Sequence, residues 1–463
     1  MVRDGNDDRV LLAPWLRDRS INRLIEVAQY RTDERNPIFR NNPLVTCFPG
    51  PLTHIGAQAV LAAEPEKRPR DFFSLPVEIR KEYAEEVKYV FVPAPPHIKA
   101  IQRIVGIVRD SYRYRNPNDS AFERSLWRIV MAQAPIALSP SKGALGPASG
   151  AVMIGPTGSG KSTTIARSCE YIGYHRRTHE QFGGRPCLWP SFPILRVSAA
   201  GRTSERQLAV AIAAELDSLS EPHFENLFKK SADHVLQLSQ MLTANLVGAV
   251  LIDDVQLLSR VGQRLREGML NLIVGTMETS GVPFICAGTI LLQDVLQRHR
   301  SQSEKLFAQG VLEIPPVRAG EEMHDICMKM WQRQIASLKM EMPPWFPNEV
   351  TRKTAGIRRY IAELCGPLFV QMAEENLKAI SVGYVRDFAD QQLSGIAVGV
   401  EIMNRAYKGQ SVDSYQLKKY EEYIDSDAYR RQVLIRAARV KAVNERRAKK
   451  EMERQATKKT SRK

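Results

Sequence analysis

The stretch Ala151-Val152-Met153-Ile154-Gly155-Pro156-Thr157-Gly158-Ser159-Gly160-Lys161-Ser162 decides the fold. Its first four residues are apolar and read as a short strand. The next eight spell G-x-x-x-x-G-K-S, and a helical pattern covers 162–173 directly after them. Glycines are needed there because the backbone must curl around phosphate groups with its N–H bonds pointing inward, and side chains would block that approach. The dipole of the following helix adds to the attraction for anions. In this reading Gly155, Pro156, Thr157, Gly158, Ser159, Gly160, Lys161, Ser162 and Thr163 form a cradle for ATP. Lys161 brings a cation to the terminal phosphates and Ser162 an oxygen to Mg2+. A glycine-rich turn that binds nothing is the plain alternative, and a second motif weighs against it.

That second motif is the apolar run 248–252, GAVLI, ending in Asp253-Asp254. An acid at the carboxyl end of a strand in an open parallel sheet lies beside the phosphate loop, so Asp253 is the expected magnesium holder, through water. Asp254 is a candidate for polarising the attacking water, or it merely caps the following turn. Further short apolar runs at 194–198, 282–288 and 310–314 alternate with helical segments at 204–219, 224–246, 262–279 and 289–299. That alternation predicts an α/β fold with a doubly wound parallel sheet.

Around this core, at 149–316, the chain divides into four further parts. Prolines interrupt residues 1–96, an irregular extension in which only short helices fit. Residues 97–148 carry two helices, the first marked by Ile98, Ile101, Ile104, Val105 and Val108 at helical spacing. After Pro315-Pro316 the pattern over 317–414 is purely helical, at 321–340, 348–354, 356–364 and 367–380, and reads as a separate lid. Residues 415–463 form a basic tail, a frayed helix or a disordered end.

Bulk properties exclude several classes. The 463 residues are 43% hydrophobic and 25% charged, ordinary for a soluble protein with room for two or three domains. No apolar run reaches the roughly 18–20 residues of a membrane span, and the polar, mixed-charge amino terminus is unlike a secretory signal, so a cytoplasmic protein with no membrane partner is expected. Six scattered cysteines with no C-x-x-C pair read as reduced core residues rather than disulfides or zinc ligands. The formal charge of +15 suits nucleic acid or another polyanion, and equally suits a merely solvated surface. No repeat of solenoid period is evident.

Other polar residues stand at telling places. Thr289 follows the fourth core strand, where it either touches the terminal phosphate or caps the next helix. Arg298 and Arg300 close that helix, a usual place for an arginine reaching into a neighbouring subunit's ATP, and equally a place for a solvated one. In the lid, Gly356-Ile357-Arg358-Arg359 offers Arg359 to the phosphates, with Arg358 as the competing choice.

Taken together these residues resemble the TnsC/TniB group of AAA+ ATPases, regulators of transposition in bacterial transposons that use several proteins. The likeness runs from about 36 to 380. It includes NNPLVTCFPGPL at 41–52, SYRYRNP at 111–117, DDVQLL at 253–258 and VPFICAGT at 282–289. Two departures are plain: Asp254 stands where the family has Glu, and Glu304-Lys305-Leu306-Phe307 stands where it often has an Arg pair before a Phe. The shorter Asp254 leads us to expect slow ATP hydrolysis.

The resemblance implies an AAA+ core with a helical lid and a self-assembling ring or filament on double-stranded DNA. It also implies a bridge between a transposase and a target-selecting protein or RNA-guided complex. Arg202, Arg260 and Arg264 are the candidate DNA contacts, against the ordinary reading of each as a surface residue. A DNA-replication loader or initiator, a nucleotide-gated scaffold and a signalling NTPase are the competing functions.

Overall fold

Short apolar strands alternating with amphipathic helices are satisfied by a parallel sheet covered on both faces, and the computed structural model has that architecture. It describes residues 25–133, 148, 150–187, 189–218, 224, 228, 233–297, 304–306, 308–337 and 340–460. The strands are β1 (Ile25–Val27), β2 (Ala151–Ile154), β3 (Arg176–Thr178), β4 (Gln181–Phe182), β5 (Arg185–Pro186), β6 (Pro190–Ser198), β7 (Val247–Asp253), β8 (Phe284–Gly288) and β9 (Val311–Glu313). Seven of them form one sheet in the order β1-β3-β6-β7-β8-β2-β9, and β4 pairs with β5 as a hairpin.

The five strands expected from sequence, β6, β7, β8, β2 and β9, are all parallel. Ile154 pairs with Gly288 and Ser198 with Asp253, so the carboxyl ends of these strands share one rim. β8 lies between the loop-bearing β2 and the acid-bearing β7, which are therefore next-nearest rather than adjacent. The other end of the sheet departs from the sequence reading. β3 joins β6 antiparallel and β1 joins β3 in parallel, so the extension contains a strand where short helices alone were expected. Three residues are too few for strand alternation to show, and the partner of β1 is remote in sequence.

Past short helices at Pro43–Thr46, His54–Leu61 and Val77–Glu82, the core helices are α1 (Pro95–Ser111), α2 (Ser120–Val130), α3 (Lys161–Ile172), α4 (Glu205–Ser218), α5 (His234–Ala244), α6 (Gln263–Ser280) and α7 (Ile290–Gln297). Strand alternation divides them between the two faces. Val152, Ile154, Val250 and Ile252 pack with Leu208, Ile212, Met241 and Ile273 of α4, α5 and α6. Ala151, Met153, Ala249 and Leu251 pack with Ile98, Ile101, Ile104, Val105 and Val108 of α1 and with Ile165 and Ile172 of α3. The helix ahead of the core thus supplies one layer of it.

Beyond β9 come α8 (Glu321–Trp331), α9 (Phe346–Thr354), α10 (Arg358–Glu374), α11 (Val382–Gln392), α12 (Ala397–Tyr407), α13 (Ser414–Lys419) and α14 (Ser426–Thr460). Phe72, Val87 and Val90 of the extension are buried among α8, α9 and α10. Where two helices were expected, over 356–364 and 367–380, α10 runs through Pro367 unbroken. Proline removes one helical hydrogen bond. Burial of Leu364, Leu368, Phe369 and Met372 along this helix offsets that loss. Ala355, Ile357 and Tyr360 of the lid meet Leu417, Ile424 and Ala428 in a last small core at the root of α14.

All six cysteines are buried and free of disulfides. Among the described residues no helix is long and apolar enough to cross a membrane.

Candidate functional site

The loop between β2 and α3 is shaped by its glycines. Gly158 and Gly160 have φ of +79° and +101°, a region that disfavours side chains. Space is closed as well: a Cβ on Gly158 would stand 2.8 Å from Arg359 Cβ, and one on Gly160 2.9 Å from Phe91 Cε2. Lys161 is buried at the first turn of α3. Its Nζ donates to the carbonyl oxygens of Gly155 and Pro156, each at 2.8 Å. Burial lowers its pKa to about 8, and the Asp253 and Asp254 carboxylates oppose that shift. The side chain lies on its own loop, poised to exchange two carbonyls for stronger anionic acceptors.

Two cavities flank this loop, and Ser162 lines both. One of about 570 Å³ is lined by Ser162, Arg196, Glu215, Asp253 and Asp254. The other, about 510 Å³, is lined by Gly158, Gly160, Lys161, Thr163 and Arg358, with apolar walls from Val90, Phe91, Ile326, Met330 and Ala362. A cavity that holds both acids and a more apolar one at the lid suit the two ends of a nucleotide.

Asp253 is buried at the end of β7, with Oδ2 3.6 Å from Arg196 Nη2 and Oδ1 accepting the Asp254 N–H at 3.0 Å. Among the described residues no three His, Cys, Asp or Glu side chains gather as a complete metal site. Ser162 and Asp253 line one cavity, a pair that would fit Mg2+, which takes few protein ligands and completes its shell with water and phosphate oxygens. Asp254 adopts φ 59° and ψ 29°, a conformation uncommon for a residue with a side chain. Its carboxylate makes no capping bond to the following turn and instead accepts from Gln256 Nε2 at 3.2 Å.

Among the described residues, the buried polar groups around the loop that lack a hydrogen-bond partner include Ser159 Oγ, Thr289 Oγ1, and Nε with Nη2 of Arg358. Buried groups of this kind are costly unless something pairs with them. Thr289 is 1% exposed just beyond β8, and its hydroxyl has no capping bond. The lid's two arginines divide their tasks. Arg359 donates its backbone N–H to Gly158 O at 3.2 Å while its side chain pairs with Glu363 in solvent. Arg358 lies over Phe91 at 5.0 Å, and burial brings its pKa down to about 10.

Arg202 and Arg264 are exposed, and Arg260 pairs with Glu422 at 3.1 Å. Arg298 and Arg300 lie outside the described residues.

Sequence reasoning missed three contributors. Arg196 is a cation inside an apolar strand, a signal that was available. His97 Nδ1 accepts the Ala94 N–H at 3.2 Å, so the proton sits on Nε2, which donates to Ser159 O at 3.1 Å. Burial holds this imidazole neutral, with its pKa lowered to about 3. Phe91 completes the wall, and nothing in its sequence neighbourhood points to the loop.

The flanking motifs meet behind the site. Asn42 Nδ2 donates to Tyr112 O at 2.7 Å, Tyr112 Oη to Leu246 O at 2.7 Å, and Arg115 Nη1 to Val247 O at 2.7 Å. They anchor the start of β7, the strand that ends in Asp253.

Residues 146–296 match the family model of the AAA domain. A comparison with curated proteins found no match. Among solved structures, the chain is similar to a Walker-type ATPase of Pyrococcus abyssi at 15% identity and a TM-score of 0.36, covering 59% of this chain and 83% of that one. The ORC2 protein of Aeropyrum pernix gives 13% and 0.36, covering 64% and 82%. NtrX from Brucella abortus gives 13% and 0.31, covering 72% and 74%.

Proposed function

We propose, starting from an AAA domain over residues 146–296, that this chain is an ATP-dependent regulator of transposition. In this reading it binds ATP with Mg2+, assembles with copies of itself on double-stranded DNA and links target selection to transposase recruitment. The observation that carries the nucleotide part is the set of buried groups without a hydrogen-bond partner, Ser159 Oγ, Thr289 Oγ1 and Arg358 Nε and Nη2, grouped around a glycine loop with a buried lysine. A triphosphate would satisfy them together. The transposition part rests on the resemblance of the flanking motifs to the TnsC/TniB group, and the charge of +15 supports the DNA part.

The residues then have defined tasks. Lys161 leaves its two carbonyls for the terminal phosphates, while His97 keeps the Ser159 carbonyl turned away from them. Ser162 and Asp253 would hold Mg2+, whose charge offsets that of the phosphates. Asp254 orients the attacking water, Thr289 senses the terminal phosphate, and Arg358 or Arg359 couples the lid to it. Arg298 or Arg300 serves a neighbouring subunit, and Arg202, Arg260 and Arg264 contact DNA phosphates. A nucleotide-gated scaffold with little hydrolysis is the second reading. It is favoured by Asp254, a short carboxylate already engaged by Gln256.

Calorimetry of the wild-type chain with Mg·ATP tests the first step, and absence of binding would end the whole proposal. Light scattering on duplex DNA with ATP and with a non-hydrolysable analogue then tests assembly. Equal, stable assembly with both favours the scaffold; turnover-dependent disassembly favours the ATPase. A reconstituted transposition assay in which omitting this chain changes nothing would remove the transposition role.

A further inference from the structure

The last fifty residues make contacts that nucleotide binding does not require. Glu422, just ahead of α14, accepts the Thr157 N–H of the phosphate loop through its carbonyl at 3.1 Å, and its carboxylate pairs with Arg260 at 3.1 Å. Its neighbours are fastened too. Tyr423 stacks on Tyr360, Asp425 pairs with Arg318, and Ser426 N–H donates to Glu313 Oε1 at 3.1 Å. From Val433 to Lys450 the described side chains of α14 are exposed, apart from half-buried Ile435. A cleft of about 710 Å³ opens between the turn after β7 and the root of this helix, lined by Arg260, Arg266, Lys418 and Arg436 and also by Glu421 and Glu422.

We propose that this cleft and the exposed part of α14 form a track for the phosphate backbone of duplex DNA, joined to the phosphate loop through Glu422. This rests on the DNA-binding reading given above and says where the DNA lies.

Charge is the first argument. Between Arg430 and Lys450, nine of 21 residues are Lys or Arg and one, Glu445, is acidic. Arg430 lies 4.0 Å from the Asp427 carboxylate, while from Arg436 to Arg447 the cations are exposed, and a duplex offers about one negative charge per 1.7 Å. Distribution is the second. At 100° per residue the cations fall on nearly every side of the helix, and Val433, Val440 and Val443 share their sector with Arg436 and Arg447. The helix therefore lacks the separate apolar face that insertion into a membrane surface needs. Contacts of this kind are sequence-neutral.

The link to the nucleotide comes from Arg260. A DNA phosphate in the cleft competes with Glu422 for that guanidinium, which pairs bidentately with phosphate as it does with carboxylate. Releasing Glu422 loosens the segment whose carbonyl holds Thr157. By linkage, nucleotide binding must in turn alter DNA affinity by the same factor.

The test uses the full chain and a short fluorescent duplex of mixed sequence, titrated across salt concentrations. In a variant with Arg439→Glu, Lys441→Glu and Arg446→Glu, DNA affinity should fall about tenfold or more. The slope of log affinity against log salt should flatten by about 2.7 for three lost contacts. Melting temperature and DNA-free nucleotide affinity serve as checks of folding. In Glu422→Gln both ligands should still bind, while the several-fold shift each causes in the other's affinity disappears. A wild-type chain that binds no duplex defeats the DNA-binding reading and this track with it. Wild-type binding left unchanged by the triple variant defeats the track alone. Coupling that is absent from the wild type, or intact in Glu422→Gln, defeats the Arg260 exchange.

Discussion

Lys161 is the residue whose chemistry is easiest to interrogate. In the free protein its pKa lies near 8, and binding a triphosphate requires the charged form. Below that pH the ammonium is present and affinity is flat in this group. Above it a proton must be taken up with the nucleotide, so affinity falls, approaching about tenfold per pH unit. Calorimetry in buffers of different ionisation enthalpy would show that uptake. Lys161→Ala should weaken Mg·ATP binding about 10- to 150-fold, the worth of a hydrogen bond to a charged group. Thr289→Val removes a buried hydroxyl that has no partner, so stability should rise by up to about 1 kcal/mol in denaturant titrations while ATP turnover drops. Asp254→Asn, which keeps the shape and loses the charge, should lower turnover about 100-fold or more if the carboxylate acts on water. The phosphate loop could be read at this scale because backbone chemistry dictates its spelling. His97 and Phe91 could not, since their role comes from packing across more than sixty residues of chain.

Elements were legible where their pattern was long enough to show. The five parallel strands and the helices between them follow from runs of apolar residues that the sheet buries on both faces. β1 and β3 escaped because three-residue strands carry no readable period. Pro367 in α10 misled because local propensity lost to tertiary burial. The clamp on β7 was visible only as a motif without a task. Arg115 is fully buried, and its pKa is brought down to about 10 by that burial. Replacing it by Met would remove the bonds that its guanidinium donates to the carbonyls of Val247 and Gly248. A loss of roughly 2–5 kcal/mol is expected in urea unfolding, with Mg·ATP affinity falling only as far as the strand end shifts.

At the scale of the whole chain, net charge and composition suggested the partner class without locating a surface; the track proposed along α14 would supply one. The layer supplied by α1 has a practical consequence. Fully burying Ile98, Ile101, Ile104, Val105 and Val108 is worth about 1.5–3 kcal/mol each, a sum that rivals the roughly 5–15 kcal/mol by which a domain is stable at all. A fragment trimmed to residues 146–296 would retain the phosphate loop, both acids and Thr289, yet expose Ala249, Leu251 and Ile285 to water. Expressed by itself it should collect in inclusion bodies. Supplying residues 25–133 as a separate polypeptide should recover soluble material, which gel filtration of the co-expressed pair would reveal. Whoever dissects this protein must therefore cut by what covers the sheet and not by where the motifs start.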